Sequence, residues 1–159
     1  FSKANFSIAI LWGDGWSDFE YELLMSSSSY ILGNRKIYDQ TKSLSLEEAM
    51  KKTPLLSDGF YGGHGGMKAW HKTANLEYKP SKSSLKITDA FTRLQAVIDG
   101  QGIALWDELV DEEIKSGKLF YISDIELQGF GYHLVYKNKN ALSIEEQKFR
   151  KWIKGVLQK

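Results

Sequence analysis

The chain has 159 residues, 42% of them hydrophobic and 13% aromatic, which excludes a disordered polypeptide and suffices for one ordinary domain or two small lobes sharing a sheet. Its 21 basic and 20 acidic residues are interspersed and sum to a net charge of +1, so no electrostatic footprint for DNA or a membrane surface is present. The absence of cysteine excludes disulfides and thiolate metal sites and fits a cytoplasmic protein. No apolar run reaches the roughly 18 residues that a bilayer span needs. The chain opens on Phe1 with neither an initiator Met nor a signal-peptide pattern, as expected of a processed product or a piece of something longer.

Taken in order, Asn5 to Trp12 reads as an apolar strand that ends in Gly13-Asp14-Gly15-Trp16. Such a loop sits at the C-terminal edge of a sheet, where open α/β sheets bind ligands. Tyr21 to Leu32 is a long predicted strand, in which Ser26 to Ser29 is too short for a linker and is placed on a solvent-facing or cleft-facing stretch. Gly33 to Ser45 reads as polar connection. Ser45-Leu-Glu-Glu48 has capping-box spacing and predicts a helix over Leu46 to Lys52, with acids at its start and lysines at its end. Pro54 to Ser57 is a short strand, followed by the glycine-rich loop Gly59 to Gly66 and a helix around Met67 to Thr73.

Leu85 to Ile87 predicts a strand leading into the best-defined pattern in the chain. Thr88 and Asp89 stand where a helix N-cap belongs, and Leu94, Val97 and Ile98 follow at the spacing of one apolar face. Gly100 falls at the C-terminal cap, and Ile103 to Trp106 reads as a strand covered on both faces. Asp107 to Ser116 is a charged helix with Leu109, Val110 and Ile114 on one side, ended by Gly117. Phe130 to Tyr136 alternates as a half-buried strand. Ser143 with Glu146 makes a second capping box for a last helix, whose apolar face carries Ile144, Phe149, Trp152, Ile153, Val156 and Leu157. The alternation of strands and helices predicts an α/β fold with crossover connections.

Candidate chemistry is sparse. His64, His71 and His133 have no ligand spacing to one another, so no metal is expected, and no cofactor motif is present. Gly62-Gly-His-Gly-Gly66 lacks the Lys-Ser/Thr ending of a phosphate loop. It reads either as a flexible turn or as a backbone-amide nest for a carboxylate. No nucleophile elbow exists, and Asp14, Asp58 and Asp89 read as turn and cap residues before acid–base groups. The five tryptophans read first as core; Trp12 and Trp16, flanking the edge loop, are the better candidates for stacking on a ligand.

Read together, these residues carry a resemblance. Ile8-Ala-Ile-Leu-Trp-Gly-Asp-Gly15 resembles the Ala-Ile-Arg-Tyr-Gly-Asp-Gly phrase in the effector-binding domain of LysR-type transcriptional regulators, in the branch that includes the glycine-cleavage activator and the β-lactamase regulators. Leu55-Leu56, Trp70 and Leu76 are similar to a further segment of that branch. Asp89-Ala-Phe-Thr-Arg-Leu-Gln-Ala-Val-Ile-Asp-Gly-Gln-Gly-Ile-Ala-Leu105 resembles its Gly-Gln-Gly-Val-Ala-Leu signature. Asp111 to Leu119, Tyr132 to Tyr136 and Phe149 to Ile153 resemble its closing phrases, so the similarity runs from about Asn5 to Leu157.

The resemblance implies a fold like the type 2 periplasmic binding proteins, with two α/β lobes joined by two crossover strands and the first lobe incomplete. Lobe I would take residues 1–32 and 118–159, and lobe II residues 33–117, all within one effector-binding domain of residues 1–159. The hinge would lie around Ser26 to Leu32 and Leu119 to Gln128. A small-molecule effector, an amino acid or small carboxylate, would bind between the lobes on Trp12, Gly13 and Asp14 of one and Gly59, Phe60, Thr88, Asp89 and Phe91 of the other. The protein would be no enzyme, would act in the cytoplasm without membrane contact, and would reach DNA only through a winged helix-turn-helix that this sequence lacks. The full-length protein would be a homodimer or homotetramer. Leu11 stands where the branch often has Arg and Ser7 where it often has Asp, so a carboxylate clamp on that Arg does not carry over. The rival readings are a periplasmic solute-binding protein and a small α/β hydrolase or lyase.

Overall fold

A computed structural model describes residues 7–13, 19–58 and 66–157. Strands β1 (Ile8–Gly13) and β2 (Glu20–Gly33) are followed by helices α1 (Arg35–Thr41) and α2 (Leu46–Lys52), strand β3 (Leu56–Ser57) and helix α3 (Gly66–Thr73). Then come β4 (Leu85–Lys86), α4 (Ala90–Ile98), β5 (Ala104–Trp106), α5 (Asp111–Lys115), β6 (Phe120–Tyr121), β7 (Leu127–Tyr136) and α6 (Ile144–Leu157). The chain forms two compact units, one of Phe1–Ser27 with Gly129–Lys159 and the other of Ser28–Gln128. It passes from the first to the second within β2 and returns within β7.

The Ser28–Gln128 unit is built on short strands. β3 and β4 pair in parallel, and an isolated parallel bridge, Leu55–Ile103, links the residue before β3 to the residue before β5. β5 then runs antiparallel to β2, whose Leu32 and Gly33 also pair with β6. Helix α4 covers these strands: Val97, with no exposed surface, packs with Leu32, Leu56, Ala104, Val110 and Leu119, and Leu94 and Ile98 flank it. The spacing read from the sequence is the face that is buried here.

Both ends of α4 are closed by side chains. Asp89 caps its start, accepting from the Thr92 amide at 2.8 Å. At its end Gly100 adopts φ +77°, and the amides of Gly100 and Gln101 return to Val97 O and Ala96 O at 3.0 and 2.9 Å. Asn34 Nδ2 donates to Ile98 O at 3.1 Å, while its Oδ1 accepts from Ile37 N at 3.0 Å as the N-cap of α1. A side chain at Gly100 would meet Asn34 at 2.5 Å, so glycine is required there by conformation and by space.

Helix α1 corrects the expectation of polar connection from Gly33 to Ser45. Only Ile37 and Thr41 are buried on it, one turn apart, and two positions are too few to show a period. The capping box of α2 is present as predicted, with Glu48 N to Ser45 Oγ at 3.3 Å and Ser45 N to Glu48 Oε2 at 3.2 Å. The charged helix expected over Asp107 to Ser116 is broken instead. The Asp107 carboxylate accepts from Leu109 N at 3.2 Å and starts a 3₁₀ turn over Glu108–Val110. The tighter turn buries Val110 and leaves Leu109 66% exposed.

In the other unit β7 lies between β1 and the first half of β2. β1 pairs antiparallel with β7 from Ile8–Tyr136 to Gly13–Gly131. Gly131 lets β7 approach β2 closely, because a Cβ there would stand 2.5 Å from Met25 O. Two expectations change. Strand β7 is not half-buried at its end: His133 through Tyr136 are all buried. The serine run is solvent-facing only in part, since the two-residue period of a strand buries Ser27 and Ser29 and leaves Ser26 exposed and Ser28 half-buried.

Helix α6 starts with the predicted box, Ser143 N to Glu146 Oε2 at 2.7 Å and Glu146 N to Ser143 Oγ at 3.2 Å. Its apolar face is mostly uncovered, with Ile144 67% and Trp152 59% exposed; Ile153 packs against Leu134, Tyr136 and Leu142. A polar knot does more of the anchoring. Arg150 grips both oxygens of Glu22 at 2.8 and 2.5 Å, Tyr136 donates its hydroxyl to the same carboxylate at 2.9 Å, and Lys139 and Lys154 flank it. Arg150 holds the Glu22 carboxyl far below the usual carboxylate range, and burial together with Glu22 pushes the Tyr136 hydroxyl up to about 12.

A depressed carboxylate pKa stabilises the fold above the unfolded-state value and loses that contribution as pH falls below it. Glu22→Gln should therefore cost about 2 kcal/mol at pH 7 by urea unfolding. The gap between variant and parent should narrow steadily as pH drops below 4.5, the ordinary value for this group.

Candidate functional site

The residues singled out from the sequence fall in both units. In the Ser28–Gln128 unit, Ile87 N donates to Ser57 O at 2.7 Å and ends the parallel pairing, which delivers Thr88 and Asp89 to the start of α4. Asp89 Oδ1 accepts from Thr92 N at 2.8 Å and Thr92 Oγ1 at 2.7 Å. These two donors, the amide first, hold its carboxyl below the ordinary value. Arg93 N donates to Asp89 O at 3.0 Å. Helix geometry leaves the amides of Ala90 and Phe91 without an acceptor inside the helix. Thr88 is exposed beside them, and the Phe91 ring is 83% exposed. A hydroxyl, outward amides and the positive end of a helix dipole suit an anionic group.

Arg93 is a residue that sequence reasoning missed. Its Nη1 donates to Ile87 O at 2.7 Å and reaches Thr88 O at 3.5 Å, and its guanidinium lies 5.0 Å from the centre of the Trp106 ring. It thereby fixes the loop that carries Thr88. Burial draws its pKa down while Asp58 and Asp89 oppose the shift. The signal available was the four-residue step from Asp89 to Arg93 on a capped helix.

In the other unit, Trp12 and Gly13 close β1, paired with Tyr132 and Gly131. Trp12 Nε1 donates to Ser27 Oγ at 2.9 Å, and its ring stacks on Phe130 with centroids 4.9 Å apart at 23°. The indole is thus clamped at the end of the strand, one face on a neighbouring ring. Neither Ser27 nor Phe130 was singled out from the sequence, because the pairing of β1 with β7 is needed to see them. Asp14, Gly59 and Phe60 lie outside the described residues, as do Trp16 and most of the glycine-rich loop with His64.

The other polar candidates are core groups. His71 is 2% exposed, with Nδ1 2.8 Å from Met67 O and its ring edge-on to Trp70 and Tyr78, and burial holds its pKa below the ordinary value. His133 is buried with Nδ1 3.1 Å from Gly131 O. Trp70 is fully buried and donates to Ile125 O at 2.8 Å. Among the described residues no group of three or more His, Cys, Asp or Glu is arranged to hold a metal, and no helix is long and apolar enough to cross a membrane.

No protein-family description matches the sequence, and no curated protein does. Solved structures do. The chain is similar to the effector domain of the transcriptional regulator AmpR of Pseudomonas aeruginosa, with TM-score 0.77 and 19% identity over 96% of this chain and 72% of that one. It is similar to the regulatory domain of CrgA, a LysR-type transcriptional regulator from Neisseria meningitidis, with TM-score 0.66 and 17% identity over 93% of this chain and 74% of that one. Full-length LysG from Corynebacterium glutamicum, solved with bound effector Arg, matches at TM-score 0.66 and 11% identity over 98% of this chain and 52% of that one. The chain has the α/β fold of these effector-binding domains, which is the type 2 periplasmic-binding-protein-like fold.

Asp89→Ala should speed hydrogen exchange of the Thr92 amide severalfold, since that donor loses its acceptor, while Asp89→Asn should largely preserve protection. Exchange followed residue by residue by NMR measures both.

Proposed function

We propose that this chain is the effector-sensing domain of a LysR-type transcriptional regulator, in the glycine-cleavage-activator-like branch, cytoplasmic and non-enzymatic. The observation that carries this reading is the fold, shared with regulator effector domains over nearly all of the chain. The Asp89 to Leu105 signature adds to it, because those residues form α4 and β5.

The effector in this reading is an amino acid or a small carboxylate. Thr88 and the outward amides of Ala90 and Phe91 take its anionic group. The Asp89 carboxylate is already committed to Thr92, so Asp14 is the acceptor we assign to an ammonium. Trp12, Gly13, Gly59, Phe60 and Phe91 complete the contact surface. LysG binding Arg supports a ligand that carries both charges. Lobe I is residues 1–32 and 118–159, lobe II is residues 33–117, and hinge segments around Ser26 to Leu32 and Leu119 to Gln128 connect them. Effector binding biases an equilibrium between conformations, and only the difference in affinity between states does work on the linked winged helix-turn-helix. The full-length protein is a homodimer or homotetramer that contacts DNA through that domain.

Calorimetric titration with a panel of amino acids and small carboxylates tests the assignment. At least one should bind, and Thr88→Ala and Asp14→Ala should each weaken it by about tenfold, the loss of one charge-assisted hydrogen bond. An affinity unmoved by both substitutions would overturn the site.

A further inference from the structure

Helix α6 has one side committed to its own unit and one side open. On the committed side Ser7 bonds to Glu146, Arg150 and Lys154 meet Glu22, and Ile153 packs against Leu134 and Tyr136. The open side carries Phe149, Trp152 and Val156 at steps of three and four, a single stripe by helix geometry. The Phe149 and Trp152 rings neighbour each other, with centroids 5.9 Å apart at 38°. Phe149 is 38%, Trp152 59% and Val156 48% exposed. In this 14-residue helix no residue is fully buried, so its own unit makes little use of the stripe.

With Ile144 in the first turn, these side chains present roughly 450 Å² of largely aromatic surface, and patches of that size on single domains are commonly interaction sites. Two such faces paired about a two-fold axis, with the stems of Glu145 and Lys148 at their rims, reach about 1,000 Å², where specific interfaces begin. An aromatic centre inside a charged rim is also how such interfaces are composed, and Trp carries the largest share of their energy. A lipid surface is the rival occupant for a helix of this kind. Against it, Arg150 and Lys154 are engaged by Glu22, two acids open the helix, and the chain's net charge is only +1.

We propose that the Phe149–Trp152–Val156 stripe of α6 is a self-association surface, occupied by the same stripe of a second copy of this chain. The pairing is isologous, with the axis crossing the helix between Phe149 and Trp152 so that each ring lies against the other helix. It is argued from one helix and holds whether or not the chain senses an effector.

Sedimentation velocity of the whole chain, without added ligand and from about 1 to about 200 µM, tests this. The average mass should rise from that of one chain to that of two, with a midpoint in the micromolar range expected of so small an interface. Trp152→Glu and Val156→Glu, both at exposed positions, should each weaken association about tenfold or more. The circular dichroism and thermal midpoint of the dilute protein should stay unchanged in both. Trp152→Phe, which keeps a ring, should remain within severalfold of the parent. Leu109→Ser, at an equally exposed apolar residue of the other unit, should leave association as it is. A chain that stays monomeric over this range, or a dimer indifferent to both glutamates, would overturn the proposal. In the first case, flotation with anionic phospholipid vesicles that is lost in Trp152→Glu would assign the face to a lipid surface instead.

Discussion

Strand β2 is the constraint on which the rest depends. Its backbone runs unbroken from Glu20 to Gly33, and its two halves serve different units. The first half neighbours β7 and carries Glu22, on which α6 is anchored through Arg150. The second half holds β5 and β6 and places Leu32 in the core beneath α4, with Ile31 buried beside it on the strand. A strand has a fixed two-residue alternation, so a slip of one position would exchange buried and exposed side chains in both units at once. Ser27 and Ser29 would turn outward, and Trp12 would lose the hydroxyl that its indole nitrogen meets. Register in one unit is therefore tied to register in the other through the covalent continuity of the strand.

The same economy appears around α4. One side chain, Asn34, caps the start of α1 and receives the last turn of α4, and one arginine, Arg93, grips the backbone on which Thr88 sits. The helix N-terminus that presents outward amides is thus held from both ends, with Val97 fixed in the core between them. A site made of backbone donors needs such rigidity, because its donors cannot be repositioned by rotamer changes. The Trp12 indole at the end of β1 is likewise held in place, by Ser27 and Phe130.

Much of this was legible in the sequence, where one physical rule acted over short range. The two capping boxes, the Asp89 cap, the Gly100 terminus and the buried face of α4 follow from spacing, and each is present. What escaped had a weaker signature. Helix α1 was hidden because only Ile37 and Thr41 are buried on it, too few to show a period, and Arg93 was missed although its acceptors lie on the preceding loop. Strand β7 looked half-buried because alternation reports one face, whereas His133 to Tyr136 are covered on both. The apolar stripe of α6 was legible as a pattern, but the stripe says nothing of what covers it; the fold anchors this helix largely by charge. Of the candidate ligand contacts, Thr88, Asp89 and Phe91 cluster at one helix start, and Trp12 and Gly13 share one strand end.

We propose that one ligand is served by residues of both units. Backbone amide NMR with the amino acids of the titration panel tests it most directly, since Gly13 and Thr88 report on the two units separately. The account predicts that a single amino acid shifts both amides along saturation curves with the same midpoint. Shifts confined to one unit, or midpoints that differ between Gly13 and Thr88, would contradict it.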